Sequence, residues 1–162
     1  MSMIIDGTNG LTFNNATTQA SAGKVLQVVQ GLLNGILSTA SGSLIATGLT
    51  ASITPKFSTS KILVLVNLNG CGKTANTNLQ VKVLRGASVV YDMGDIIGYT
   101  NATGPSSIGS VDCIYLDSPA TTSSTTYSVQ YANVLATGAV YINQYYNTDT
   151  AQSSITLMEI AG

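Results

Sequence analysis

The chain has 162 residues, enough for one domain with a hydrophobic core of its own. Only 8% of its residues are charged and 44% are hydrophobic, whereas a soluble domain usually carries roughly 25% charged residues. This composition excludes a disordered tail, a net charge of −1 without basic clusters argues against nucleic-acid binding, and no apolar run is long enough for a membrane-inserted helix.

Residues 1–23 are predicted to form an N-terminal docking arm. Their apolar anchors, Ile4, Ile5, Leu11 and Phe13, are too few for a separate core. Each buried anchor contributes roughly 1.5–3 kcal/mol, while ordering each residue costs roughly 1–2 kcal/mol. We therefore expect the arm to become ordered against another protein surface. The first residues lack the basic and apolar regions of a secretory signal peptide, so we expect synthesis in the cytoplasm.

Residues 24–162 have the pattern of an all-β domain. Short β-rich runs alternate with turns rich in Gly, Asn, Ser, Thr and Pro, which predicts an antiparallel β-sandwich, jelly-roll-like, of about eight strands. The spacing alone does not separate a jelly roll from another antiparallel sandwich. The strand-like runs are residues 24–29, 43–54, 61–68, 79–83, 89–91, 110–116, 126–135, 139–146 and 154–160.

Three of these runs allow finer predictions. Residues 61–68 are apolar enough for a strand buried on both faces. Residues 79–83 alternate, so that Leu79, Val81 and Val83 should point inward. Tyr127, Val129 and Tyr131 likewise share one face. Two glycine-containing segments are predicted to be irregular: residues 30–43, as a loop or hairpin tip, and residues 93–109, as a long surface loop on which binding would be concentrated.

The sequence offers little for catalysis. It has no histidine, the usual general base and commonest metal ligand. Gly72-Lys73-Thr74 resembles the end of a phosphate-binding loop, but Asn67 occupies the position of the first glycine. A β-turn is the better interpretation, followed by a hairpin turn over residues 75–78. Cys71 and Cys113 are predicted to be reduced and buried by packing.

Paired carboxylates are the remaining route to hydrolysis. Asp92 with Asp95, and Asp112 with Asp117, are close enough in sequence to be considered for a glycosidase. Acidic residues near turns usually bind water or cap backbone amides, and a calcium site would need six to eight oxygens. We expect a protein that is not an enzyme and has no metal site and no cofactor.

The eight tyrosines are more informative. Tyrosine offers a large contact area with a polar tip, and it is enriched at interfaces. The alternative for each is packing within one subunit. The candidate interface or receptor contacts are Tyr91, Tyr99, Tyr141, Tyr145 and Tyr146.

Several segments resemble virion structural proteins of tailed bacteriophages. Gly10-Leu11-Thr12-Phe13, followed by Thr17-Thr18-Gln19, is similar to short segments common in tail-fibre proteins. Segments that resemble a small phage β-domain are spread over the rest of the chain, at residues 24–29, 53–55, 60–64, 84–86, 116–119, 126–130 and 154–160.

The resemblance implies a virion structural role, a β-sandwich fold, and trimeric or capsid-lattice assembly; it implies no catalytic residues. We therefore expect a surface-exposed tail-fibre or appendage component, made in the host cytoplasm, that forms a homo-oligomer, with a trimer as the first expectation. Its partners would be other virion proteins and a host surface glycan. A chain of one domain is short for a fibre, which keeps a capsid decoration protein as an alternative. A carbohydrate-binding module is the second alternative.

Overall fold

The computed structural model describes residues 25–144 and 150–162 in full, and the backbone of three short strands before them. This part of the chain contains thirteen β-strands and no helix that could cross a membrane. The strands are β1 (Ile4–Asp6), β2 (Gly10–Thr12), β3 (Thr18–Gln19), β4 (Val25–Asn34), β5 (Leu37–Thr39), β6 (Ile45–Ile53), β7 (Lys61–Lys73), β8 (Leu79–Arg85), β9 (Ser88–Ile97), β10 (Ser106–Asp117), β11 (Thr125–Asn133), β12 (Val140–Ile142) and β13 (Gln152–Ile160).

Ten of these strands form two antiparallel sheets. Sheet 1 has the order β4-β13-β7-β10, and β12 and β5 extend it beside the far end of β7. Sheet 2 has the order β6-β11-β8-β9. The chain passes repeatedly between the sheets, and the eight long strands follow the connectivity of a jelly roll. The predicted fold class, an antiparallel jelly-roll-like sandwich of about eight strands, is confirmed.

The core lies between the two sheets and is built from alternate residues of each strand. The predicted inward positions Leu79, Val81 and Val83 are fully buried, as are Tyr127 and Val129. Sheet 1 contributes a matching set from its inner face: Ile62, Val64, Val66, Leu68, Val111, Cys113, Ile155 and Leu157. Cys71 and Cys113 are free, buried thiols, as predicted.

The two sheets meet closely along one side. A Cβ atom on Gly31 of β4 would lie 2.0 Å from the carbonyl oxygen of Thr50 on β6, so only glycine fits there. At the other side, β9 and β10 end the two sheets, and the rings of Tyr91 and Tyr115 lie 5.3 Å apart across the gap. The sandwich is therefore closed tightly at β4 and β6 and by aromatic packing at β9 and β10.

Both segments predicted to be irregular are so only in part, because strands extend into each of them. In residues 30–43, β4 continues to Asn34, paired with β13. In residues 93–109, β9 extends to Ile97 and β10 begins at Ser106, which leaves a loop of residues 98–105. Gly94 and Gly109 have positive φ and lie at register shifts, so these glycines form β-bulges within strands rather than turns.

Three smaller predictions also need correction. Gly72 and Lys73 belong to β7 rather than to a turn, and residues 75–78 link the two sheets instead of closing a hairpin. Of the strand predicted over residues 139–146, the described residues 139–144 form only β12 as a strand, and residues 145 and 146 lie outside the described ranges. Only one face of residues 61–68 is fully buried, because Leu63 and Leu65 on the other face are half-buried.

The predicted docking arm lies mostly outside the described residues. The backbone shows β1 paired with β2, and β2 with β3, all antiparallel. Phe13 and the side chains of Ile4, Ile5 and Leu11 are not described, so their docking role stays a prediction.

Candidate interaction surfaces

The outer face of sheet 1 carries a band of apolar side chains. In an antiparallel sheet, directly paired residues point to the same side, so the strand register identifies the members of this face. Val28, Met158, Leu63 and Leu116 form one row across all four strands. Gln30, Thr156, Leu65 and Ile114 form the next row. We call these two rows the outer apolar face.

The outer apolar face is open to solvent. Ile114 is 71% exposed, Val28 56% and Leu116 49%, while Leu63, Leu65 and Met158 are half-buried between their neighbours. Leu32, in the following row of β4, is also exposed. An isolated exposed apolar residue is ordinary, but a contiguous patch usually marks an interaction site.

The two ends of this face carry opposite charges, on β7 and β10. Lys61 lies at one end, where its Nζ donates to the hydroxyl of Ser118 at 3.1 Å. Asp112 lies at the other end and accepts a hydrogen bond from the Asn67 side chain. Asn69 donates to the Asn67 side-chain oxygen and accepts from Ser110. These amides hold the Asp112 carboxylate at the rim of the apolar rows.

The structure does not combine the predicted carboxylate pairs into active sites. Asp112 points outward from β10, whereas Asp117 points into the sandwich and is buried. Asp117 accepts hydrogen bonds from Arg85 at 2.7 Å and from the Tyr127 hydroxyl at 2.6 Å. Burial and the hydrogen bond to this carboxylate raise the pKa of Tyr127. Since the two carboxylates lie on opposite faces of the sheet, they cannot act on one substrate.

Each carboxylate of the second pair, Asp92 and Asp95, is bonded to a half-buried side chain of β8. Asp92 forms an ion pair with Lys82 at 2.9 Å, and this hydrogen bond lowers the pKa of the Asp92 carboxyl. Asp95 accepts from the side chain of Gln80. In the described part of the chain, no group of three or more acidic or cysteine side chains is placed to hold a metal.

The candidate tyrosines are spread over several sites. Tyr91 is exposed at the end of sheet 2 beside Tyr115. Tyr99 lies in the loop of residues 98–105. The Tyr141 ring lies over Gly72, where an added Cβ would come within 2.2 Å of the ring. No ring contact joins any two of these candidates in the described ranges, and Tyr145 and Tyr146 lie outside them.

Tyr99 has a clear role within the subunit. It covers the fully buried side chain of Lys73, whose Nζ lies 5.8 Å from the ring centroid. The same Nζ donates to the carbonyl oxygens of Thr77 at 2.9 Å and Thr100 at 3.1 Å. A buried ammonium needs such partners, so Lys73 ties the loop of residues 98–105 to the end of the sandwich. Part of the Tyr99 ring remains open to solvent.

Sequence reasoning missed the outer apolar face. Ile114 and Leu116 lie in Val111-Asp112-Cys113-Ile114-Tyr115-Leu116-Asp117, where large apolar residues occupy both alternating sets. The pattern therefore does not reveal which set faces the core, and only the pairing with β7 resolves it. The available signal was the apolar content of both sets, which is typical of a strand covered on two sides.

Comparison with known proteins adds no family assignment: no protein-family model matches the chain, and no curated protein matches it significantly.

Proposed function

We propose that this chain is a non-enzymatic structural protein of a bacteriophage particle, a tail-fibre or appendage component that assembles as a homo-oligomer on the virion surface. The observation that carries the proposal is the outer apolar face. Two rows of mainly apolar side chains lie open on sheet 1, including Ile114 at 71% exposure. A contiguous apolar patch of roughly a few hundred Å² on a soluble protein is often a functional surface. In an assembly, the neighbouring subunits would bury this apolar patch.

The fold and composition support the same proposal. Jelly rolls are frequent in viral capsid proteins and lectins, although a fold by itself suggests function only by analogy. A surface of Ser, Thr, Asn and Gly with 8% charged residues lets identical copies pack without like-charge repulsion. The similarity of the Gly10–Phe13 and Thr17–Gln19 segments to tail-fibre proteins favours the tail over the head.

Two alternatives predict different measurements. A capsid decoration protein would use the same apolar face against a head lattice. A carbohydrate-binding module would need an aromatic platform, yet Tyr91 and Tyr99 have separate surroundings. If the chain contacts a host glycan, Tyr99 in the loop of residues 98–105 is the better-exposed starting point, at 49% exposure against 36% for Tyr91.

Copy number in purified particles tests the proposal. Quantitative mass spectrometry should find a small multiple of two, three or six copies for a tail component, while hundreds of copies would identify a decoration protein. Absence from particles would contradict the virion role altogether.

Deletion of residues 2–22 tests the arm. The sandwich should stay folded, because its described core lies within residues 25–162, but the shortened chain should no longer enter particles. Incorporation at the wild-type copy number would refute the docking role, and loss of folding would make the arm part of the core.

A further inference from the structure

We propose that the outer apolar face binds a second copy of this chain, face to face, about a two-fold axis that lies in the interface and runs across the strands. The inference rests on the proposed function in that both require self-association. It is tested separately, because particle copy number measures the virion role and the cross-links described below measure the pairing of two faces.

The charges on the face favour its own copy as the partner. Lys61 and Asp112 are the two charged side chains that sheet 1 turns outward within the described residues. They lie at opposite ends, since Lys61 pairs with Ile160 at one end of β13 while Asp112 pairs with Asn67, six residues along β7. A face with a cation at one end and an anion at the other is complementary to itself after reversal.

The direction of the two-fold axis follows from these charges. An axis across the strands reverses their direction but keeps each strand over its own counterpart, so Asp112 of one copy lies over Ser118 of the other, whose hydroxyl holds the Lys61 ammonium. An axis parallel to the strands would bring the Lys61 side chains of both copies to the same end of the interface, which like-charge repulsion disfavours. The first arrangement gives two opposite-charge pairs and no like-charge pair.

The apolar rows fit the same operation. The middle of the face lies between the row of Leu63 and the row of Leu65, and reversal places the Leu63 row of one copy on the Leu65 row of the other. Leu116 and Ile114 extend these rows along β10. The two middle rows therefore face each other, with the charged side chains Lys61 and Asp112 at the rim, in rows that also contain Ile160 and Leu32; charged groups at the rim are the usual arrangement of an interface.

The size of the face is sufficient for a specific contact. Four strands about 4.8 Å apart and six residue steps of about 3.3 Å give a face of roughly 19 by 20 Å. Allowing for the relief of the side chains, two copies would bury roughly 1,000 Å² in total, close to the lower limit for specific protein interfaces. The dimer should therefore be reversible, with dissociation measurable at micromolar concentrations.

This symmetry differs from the trimer expected from the sequence. A face that binds the same face of another copy forms an isologous contact, which closes with two copies. A trimer would have to use other surfaces and would leave the outer apolar face open or covered by a different protein.

The first experiment measures the association state of the full chain by sedimentation velocity between about 1 and 100 µM. We expect a dimer that Ile114→Glu dissociates, with a dissociation constant at least about a hundredfold higher, because each copy would bury a carboxylate. Ile96→Glu is the matched control: Ile96 is 75% exposed on β9, away from this face, against 71% for Ile114. A wild-type monomer, a trimer, or a dimer insensitive to Ile114→Glu would overturn the proposal.

The second experiment fixes the orientation with a thiol-specific cross-linker that spans roughly 10 Å, because two sheets packed face to face lie about 10 Å apart and a disulfide needs Cα atoms within about 7 Å. The native thiols are buried, so engineered cysteines on the face report selectively. The double variant Lys61→Cys/Asp112→Cys should form covalent dimers, and neither single variant should. Cross-linking of Lys61→Cys alone would show an axis parallel to the strands, and no cross-link in the double variant would show a different contact; both results overturn the proposal. Circular dichroism of each variant checks that the fold is retained.

Discussion

Replacing Gly31 with alanine should destabilise the sandwich at the side where its sheets meet. The new Cβ would lie 2.0 Å from the Thr50 carbonyl oxygen and 3.1 Å from a methyl group of Ile155. Ordinary contact begins near 3.4 Å, so β4 and β6 must separate by about 1.4 Å (3.4 minus 2.0). Both strands are held in antiparallel ladders, β4 with β13 and β6 with β11, so neither can move alone.

The expected loss of stability is about 3 kcal/mol, at the upper end of typical overpacking effects, because the clash is with backbone. For a domain of this size that corresponds to a fall in melting temperature of roughly 6–12 °C. Urea and thermal denaturation would measure it at one fixed protein concentration, since self-association stabilises the folded state.

Gly104→Ala is the matched control for this substitution. Gly104 has no neighbour within 4 Å of an added Cβ, and its φ is not positive, so its replacement should leave the midpoint almost unchanged. Equal midpoints for Gly31→Ala and the wild type would show that the two sheets are not held at this separation.

Three further predictions concern buried polar groups. Glu159→Gln should lower stability at pH 7 by about 2 kcal/mol, because the buried carboxylate accepts from Gln27 and from the Lys56 amide. Burial acts to raise the pKa of Glu159, but these hydrogen bonds outweigh it and lower the pKa. The stabilisation is therefore present above the ordinary glutamate pKa and is lost as pH falls through the folded value, so the urea midpoints of variant and wild type should converge as the pH is lowered. Asp117→Asn should cost about 2 kcal/mol by weakening the contacts to Arg85 and Tyr127, whereas Asp92→Asn at an exposed ion pair should change the urea midpoint little. Cys71 and Cys113 should resist a thiol reagent at pH 8 until the chain is unfolded, because both thiols are buried. Burial, aided by the Asp112 charge, also raises the pKa of Cys71 to about 12. Rapid labelling of the native protein would contradict the core packing.

The sequence was sufficient for the fold class because alternation is a local signal. Leu79, Val81 and Val83 repeat every second residue, and each is buried as predicted. Glycine was the misleading residue. Gly31, Gly94 and Gly109 were interpreted as loop formers, but Gly31 permits a close approach between sheets and the other two form bulges. A glycine has the same sequence signature in all three roles, so only the pairing partners distinguish them.

Buried charges were equally hidden from sequence reasoning. Lys73 and Glu159 are fully buried, although single charged residues near strand ends usually face solvent. Their partners are mostly distant in the chain: Glu159 binds Gln27 and the amide of Lys56, and Lys73 binds the carbonyl of Thr100. Such contacts depend on the fold as a whole, and no local pattern predicts them.

The outer apolar face follows from how β7 and β10 distribute their apolar residues. In both strands each of the two alternating sets contains large apolar side chains, such as Val64 and Leu65, or Cys113 and Ile114. Strands of this kind belong to sheets that are covered on both sides. The jelly roll covers one side, because sheet 2 packs on the inner set. Sheet 2 cannot also cover the outer set, and no other element in the described part of the chain packs on it, so in the dimer proposed above the second layer comes from another molecule. Lys61 and Asp112 at the two ends of the face favour a copy of the same chain as that molecule.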